Sequence, residues 1–313
     1  MLETTRLSRA QGCWLGQLAG DSLGSLVEFE SPSAIRQRYP EGVRTLADGG
    51  TWNTLAGQPT DDSEMALMLA RMLAERGEYD AAAAREAYVA WLQSGPFDCG
   101  MTVSSGLRGR PNGDSQANGA MMRIAPLGIF GARHALEQVG AWARQDAAIT
   151  HPHAVCQQAN ALFAMAIARA IREPVDGMAL YAEIVAWAAE AAVEPALAEA
   201  IARAAEAPPQ DFMHQQGWVL VAFQNALWQL GHAESLEAGV VDTVMRGGDT
   251  DTNAAISGAL LGAVHGAEAI PPQWRDSILR CEPEAGRPGV HQPRPPIFWP
   301  TDALELAPAL LGP

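Results

Sequence analysis

The sequence predicts an all-α fold, on three observations. Long Ala-rich segments carry apolar residues at helical spacing. No convincing set of alternating strands accompanies them. Glycine recurs at every fourth position in two segments, Gly12-Gly16-Gly20-Gly24 and Gly258-Gly262-Gly266. Glycine costs about 1 kcal/mol against Ala inside a helix, so both glycine-rich helices are expected to recover that loss by packing backbone against backbone at the centre of the fold.

The other elements follow from periodicity and punctuation. Over 64–76, Met65, Met68, Leu69, Met72 and Leu73 fall on one helical face and Gly77 supplies a stop. Similar patterns predict helices over 81–93, 135–147, 154–172, 176–206, 217–231 and 235–245. Glycine, proline and polar residues gather in 40–60, 94–120 and 282–300, which read as loops. The expected arrangement is a compact orthogonal multi-helix domain over 1–313, with its core at about 7–270 and an irregular surface tail over 282–313. A chain of 313 residues buries enough apolar surface to fold without staples, so a metal here would serve chemistry.

Composition removes several function classes. Net charge is -15, and no Lys occurs, which excludes Schiff-base catalysis. So acidic a surface, without a basic run, predicts no nucleic-acid partner. An anionic ligand would have to be held by local donors or by metal ions. Cys13, Cys99, Cys156 and Cys281 are widely spaced, with no C-x-x-C pair, and read as reduced thiols in a cytoplasm. Residues 1–10 lack an apolar run of signal-peptide length, so export is not expected. The most membrane-like stretch, 254–270, contains His265 and Glu268 and is rich in Ala and Gly; it reads as a buried helix, with no membrane partner.

Two acidic clusters sit at helix starts: Thr60-Asp61-Asp62 and Asp249-Thr250-Asp251-Thr252. Either alone has a plain reading as a helix cap, and Asp61 with Glu64 has capping-box spacing. Together they are too many, since one cap needs one Asp or Thr. Carboxylates brought together repel unless protonated or metallated. An oxygen-only donor set suits Mg²⁺ or Mn²⁺ rather than zinc. If the clusters meet, a central two-metal cleft follows, with a carboxylate such as Asp251 able to bridge and the ions able to activate water for hydrolysis.

Three further segments carry polar groups. In Gly20-Asp21-Ser22-Leu23-Gly24-Ser25-Leu26-Val27-Glu28, a continuing helix would put Asp21 and Glu28 on one face. The loop Asp114-Ser115-Gln116-Ala117-Asn118-Gly119-Ala120-Met121-Met122-Arg123 can present backbone N–H groups to phosphate oxygens, although Asn-Gly alone is commonly just a turn. Thr150-His151-Pro152-His153 reads, on the residues alone, as structural.

The ordered set of motifs resembles the ADP-ribosylglycohydrolase family over about residues 12–266. It comprises Gly-Asp-x-x-Gly-x-x-x-Glu at 20–28, Thr-Asp-Asp at 60–62, Pro-Phe-Asp-x-Gly at 96–100, Asn-Gly-Ala-Met at 118–121, Thr-His at 150–151, Gly-Trp-Val at 217–219 and Gly-Gly-Asp-Thr-Asp-Thr at 247–252. The resemblance implies an all-α domain with two Mg²⁺ or Mn²⁺ ions in a cleft that binds ADP-ribose. It implies Thr60, Asp61, Asp62, Asp249, Asp251 and Thr252 as metal ligands, with Glu28 beside or on a metal. It further implies Asn118, Gly119, Ala120 and Met121 on the diphosphate and ribose, His151 on a ribose or phosphate, and Trp218 with Val219 near the adenosine.

The activity so implied is hydrolysis of the glycosidic bond joining ADP-ribose to a protein side chain, through an oxocarbenium-like transition state, releasing ADP-ribose. Asp61 or Asp62 would orient or deprotonate the water and Glu28 would control proton transfer. Arginine is the expected acceptor, ahead of serine or another conjugate. A non-catalytic ADP-ribose-binding module would have lost ligand positions that are all present here, and a two-metal phosphohydrolase would cleave the diphosphate instead.

Overall fold

The structure, a computed structural model, describes residues 2–312. Fifteen α-helices run in chain order: α1 Leu2–Gly24, α2 Pro32–Arg38, α3 Asp61–Arg76, α4 Ala81–Gln93, α5 Met101–Leu107, α6 Ala125–Gly131, α7 Leu136–Ala148, α8 Ala154–Arg172, α9 Gly177–Glu190, α10 Pro195–Arg203, α11 Val219–His232, α12 Leu236–Val244, α13 Thr250–His265, α14 Pro272–Leu279 and α15 Ala303–Leu311. No strand forms among the described residues; two isolated bridges, Gly49 with Thr54 and Ala117 with Trp218, are the only β pairing. The all-α expectation holds.

The two glycine-rich helices form the axis of the fold, and α1 with α13 is its most extensive helix pair. They run antiparallel with their backbones in contact. A Cβ on Gly12 would stand 2.5 Å from the Gly262 carbonyl oxygen, one on Gly16 2.2 Å from that of Gly258, and one on Gly20 2.1 Å from that of Ala254. The same register brings Gly24, the last residue of α1, against the first turn of α13, where its Cβ would stand 2.4 Å from the Asp251 nitrogen. The glycine spacing therefore decides which functional residues meet. Gly266, expected inside the second helix, is instead its C-cap at φ 82.

Helices α4 and α8 have the bounds that periodicity predicts, and α7, α11 and α12 differ by a residue or two. The predicted helix over 176–206 is two helices. Pro195 opens α10, and its ring pushes Glu194 into extended backbone (φ -50, ψ 138), while Ala192 turns at φ 43. The tail over 282–313 is irregular at first, then forms a 3₁₀ turn, Pro296–Phe298, and α15, which packs against α1 and α3. Residues 284–293 lie on the surface, as expected, whereas Arg294, Phe298 and the inner face of α15 are buried and join the core. So does α14, whose Trp274 is fully buried.

Helix α13, the start of the membrane-like stretch, is buried along almost its whole length. The one described helix long and apolar enough to cross a membrane is α8, and most of it is buried inside the fold.

Candidate active site

The C-terminal end of α1 and the N-terminal ends of α3 and α13 converge. Asp21, wholly buried on the last turns of α1, reaches across to the start of α3: its carboxylate accepts the backbone N–H groups of Thr60 (3.2 Å) and Ser63 (3.1 Å) and the Thr60 hydroxyl (2.9 Å). Asp21 thus caps α3 from another helix. Thr60 is the N-cap residue by backbone position, yet its side chain makes no cap bond; the hydroxyl lies between Asp21 and Asp62, 3.1 Å from Asp62 Oδ2. The capping box read from Asp61 and Glu64 does not form either. Glu64 turns inward to a buried bidentate ion pair with Arg294 (2.7 and 2.8 Å) and accepts the Trp91 indole N–H at 2.8 Å.

Two overlapping groups of buried carboxylates result, Asp21-Asp62-Asp251 and Glu28-Asp249-Asp251, each with oxygens within 4.8 Å of one another. Asp251 belongs to both, as a bridging residue must. Thr252 Oγ1 lies 3.4 Å from Asp62 Oδ2, tying the α13 cluster to the α3 cluster. Asp61 lines the cleft, with one carboxylate oxygen accepting the Gly100 N–H at 3.2 Å. The helix expected to carry Asp21 and Glu28 on one face stops at Gly24. Glu28 comes instead from the turn that follows, where the Trp52 indole donates to it at 2.5 Å.

Asp249 is presented by a Gly247-Gly248 turn at φ 74 and 76, a conformation that L side chains resist. A Cβ on Gly248 would also stand 2.0 Å from the Phe212 carbonyl oxygen. The neighbouring strand of chain is pinned to this turn, since Phe29 N–H donates to Gly248 O and Gly248 N–H to Glu30 O. Phe29 is itself held at φ 66 and half exposed, and with Met101 it puts apolar surface at the cleft mouth.

The cleft above the carboxylates encloses about 320 Å³. One wall is 116–118 paired with 217–219: Asn118 N–H donates to Gly217 O and Val219 N–H to Gln116 O. Of the residues implied to touch ligand, Asn118, Gly119 and His151 line the cleft, and Asn118 Nδ2 donates to Asp249 at 2.7 Å. Ala120, Met121 and Val219 are wholly buried behind the wall, where apolar packing claims them; Met122 and Gly217 line the cleft instead. Trp218 faces an adjoining groove with His214 and Gln215, its indole N–H bonded to Gln116 Oε1 at 3.1 Å.

Behind His151 lies a second polar system. Arg123, fully buried, pairs with Asp146 at 3.1 Å, and the Tyr88 hydroxyl donates to the same carboxylate at 2.9 Å. Arg123 also donates to Thr150 Oγ1 at 2.9 Å, and that hydroxyl is 2.7 Å from His151 Nδ1. His151 Nε2 is buried with no protein partner.

No Arg lines the cleft, so the carboxylates face one another uncompensated. Burial raises them all, and repulsion from neighbouring carboxylates adds to it at Glu28, Asp61, Asp62, Asp98 and Asp251. Burial lifts Asp21 to about 6 and Asp61 to about 7. It lifts Glu28 to about 8 with help from Asp98 and Asp249, and Asp98 to about 9 with help from Asp61. Asp62, Asp249 and Asp251 are raised too, first by burial. His151 goes the other way: burial, then the Arg123 charge, lower it to about 3, so the ring is neutral.

Two residues of the site, Asp98 at the cleft and Asp21 buried behind it, are assigned no catalytic or ligand role by the sequence. Asp98 lines the cleft, and its signal was an Asp within the Pro-Phe-Asp-x-Gly loop. Asp21 stands in the Gly-Asp-x-x-Gly-x-x-x-Glu motif, and the sequence reads it only as sharing a helix face with Glu28, not as the cap of α3. Arg294 gave no signal, since it lies in a proline-rich tail far from every cluster.

The model of the ADP-ribosylglycohydrolase family matches residues 2–292. The chain is 30% identical to the ADP-ribosyl-dinitrogen-reductase glycohydrolase of Rhodospirillum rubrum, covering 89% of this chain and 93% of that protein. It is 28% identical to an ADP-ribosylarginine hydrolase of Pseudomonas putida, covering 87% of this chain and 74% of that one. Among solved structures, an ADP-ribosylglycohydrolase-related protein superposes with a TM-score of 0.81 at 27% identity over 98% of both chains. Sequence motifs, helix order and the buried acidic floor of the cleft lead to one conclusion: the chain belongs to the ADP-ribosylglycohydrolase family.

Proposed function

We propose that this protein hydrolyses the bond between C1″ of ADP-ribose and a modified protein side chain, with arginine as acceptor, and releases ADP-ribose. The observation that carries the proposal is the pair of carboxylate groups sharing Asp251 at the floor of a cleft with no Arg in its lining. Such a floor repels an anionic ligand until cations offset it. The donor set fits them: it is all oxygen, which suits Mg²⁺ or Mn²⁺, and Asp62 Oδ1 is buried with no partner of its own.

Asp62, Asp249, Asp251 and Glu28, with the Thr60 and Thr252 hydroxyls, would hold two such ions. Asp21 completes the first carboxylate group, but its oxygens already accept the N–H and O–H groups of α3, so its role is to seat that helix. When bound, the ions neutralise the floor and polarise ribose hydroxyls and water. Asp61, with one oxygen held by the Gly100 N–H and its side chain on the cleft, orients the attacking water and takes its proton. The water oxygen joins C1″, the C1″–N bond breaks, and the proton passes to the departing guanidine nitrogen. Glu28, fixed by Trp52, faces Asp249 and Asp251 and governs that proton's return. Asn118 and Gly119 border the sugar and diphosphate.

Arginine is favoured by the likeness to the Pseudomonas putida ADP-ribosylarginine hydrolase and the Rhodospirillum rubrum enzyme. Four free thiols suit a reducing cytoplasm. The test is incubation with arginine- and serine-ADP-ribosylated peptides in Mg²⁺, Mn²⁺ or EDTA, with products resolved by mass. Metal-dependent release of intact ADP-ribose from the arginine peptide is expected. Release from serine alone would overturn the acceptor, and diphosphate cleavage would overturn the reaction.

A further inference from the structure

We infer that Arg123 and Thr150 are positioning residues that fix His151 as the neutral tautomer carrying its proton on Nε2, so that the ring presents a hydrogen-bond donor to an acceptor oxygen of the ligand in the cleft. That the ligand is ADP-ribose rests on the function proposed above; the state of the ring does not.

The chain of donors leaves one consistent assignment. A guanidinium has only donors, so Arg123 Nη1 donates to Thr150 Oγ1 at 2.9 Å. Arg123 cannot rotate away, because Nε is held by Asp146 Oδ1 at 3.1 Å and Nη2 by the Asp146 carbonyl at 3.0 Å. Its guanidinium also lies 4.3 Å from the centre of the Tyr88 ring. Thr150 is fully buried, and the one acceptor within reach of its hydroxyl proton is His151 Nδ1 at 2.7 Å. The hydroxyl therefore donates to Nδ1, and the ring proton resides on Nε2. The opposite tautomer would leave the hydroxyl proton buried without an acceptor.

Nε2 is buried, has no protein partner and belongs to a ring that lines the cleft. The space before it is kept by Gly119, where a Cβ would stand 3.3 Å from Nε2 and 2.9 Å from Val103 Cγ2. Burial and the Arg123 charge hold the ring well below the usual His range, so it donates without carrying charge. A neutral donor suits a phosphate or hydroxyl oxygen, and it leaves the ring no role as a general acid.

The test reads the ring directly. In uniformly ¹⁵N-labelled full-length protein, long-range ¹H–¹⁵N correlations distinguish protonated from bare ring nitrogens, and His151 is assigned by the signal lost in His151→Gln. The wild type is expected to show protonated Nε2 and bare Nδ1. Thr150→Val keeps shape but removes the hydroxyl and should move His151 to the Nδ1-protonated form or to a mixture; Thr150→Ser should restore the wild-type pattern. The Kd for ADP-ribose should weaken roughly tenfold in Thr150→Val, the scale of one neutral hydrogen bond, and return toward wild type in Thr150→Ser. Wild-type His151 protonated on Nδ1 would overturn the inference even if Thr150→Val failed to fold. So would a folded Thr150→Val with unchanged ring state and affinity. Absence of ADP-ribose binding by the wild type would sink the proposed ligand and leave the tautomer result standing.

Discussion

Gly16 and Gly258 face each other reciprocally: a Cβ on either would stand 2.2 Å from the carbonyl oxygen of the other. The contact fixes α1 against α13 and thereby seats Asp21 beside Asp251. Ala is the better helix former by about 1 kcal/mol, yet Gly16→Ala should destabilise the protein by about 1–3 kcal/mol, because the helices must part to admit the methyl group. Urea denaturation measures it. A Gly16→Ala protein as stable as wild type would show that this close approach does not hold the fold.

Asp251 sits in both carboxylate groups. Asp251→Asn should reduce turnover by about a hundredfold or more, the upper scale for losing a group that holds or orients a catalytic metal. The same change removes one of several repelling buried charges, so with EDTA present the variant should melt no lower than wild type. Full activity at limiting metal would remove Asp251 from the mechanism, and a large loss of metal-free stability would make it structural.

The acidic floor also predicts how stability depends on pH once metal is stripped. Burial raises the folded-state values of Asp21, Asp61, Glu28 and Asp98 to about 6, 7, 8 and 9, above the carboxylate range of an unfolded chain, about 4. A raised group stabilises the fold fully below its unfolded value and loses that contribution as pH climbs through its folded value. In EDTA the Tm should therefore fall as pH rises from about 4, the unfolded carboxylate value, to about 9, the highest of the folded values. Saturating Mg²⁺ or Mn²⁺ should raise the Tm most at the alkaline end. A Tm in EDTA that stayed flat across this range would mean the carboxylates are not held close together in solution.

Glu64 and Arg294 form a buried pair at 2.7 Å, with both side chains almost wholly covered. Removing one partner strands the other's charge, so Arg294→Met should cost about 3–5 kcal/mol. Glu64→Leu combined with Arg294→Met should regain much of that, because two apolar groups then meet. Thermal melts of the single and double variants decide it; a stable Arg294→Met protein would mean that the C-terminal segment does not pin α3.

Much of this was legible from residue types. Apolar spacing gave α4 and α8 their bounds, and the fourfold glycine spacing identified α1 and α13 as close-packed partners, because only a residue without a Cβ lets a carbonyl oxygen sit 2.2 Å from the Cβ position. Two acidic clusters at two helix starts announced a shared site, since caps alone need fewer carboxylates. The helix through 176–206 was over-read because its Ala content masked the break that Pro195 imposes.

By itself, the sequence determined the class of the fold, its central helix pair and the acidic, oxygen-only character of the site, because these are local: helical period, the missing Cβ of glycine and the chemistry of carboxylates at helix starts. The tertiary structure decided who meets whom. It placed Glu28 on a turn beyond α1, made Asp21 the cap of α3, brought Arg294 from the tail to Glu64, drew Asp98 into the cleft and turned Ala120, Met121 and Val219 away from it. Each depends on contacts between residues distant in sequence, and no periodicity encodes those; they are set when burial of one face fixes the register of another.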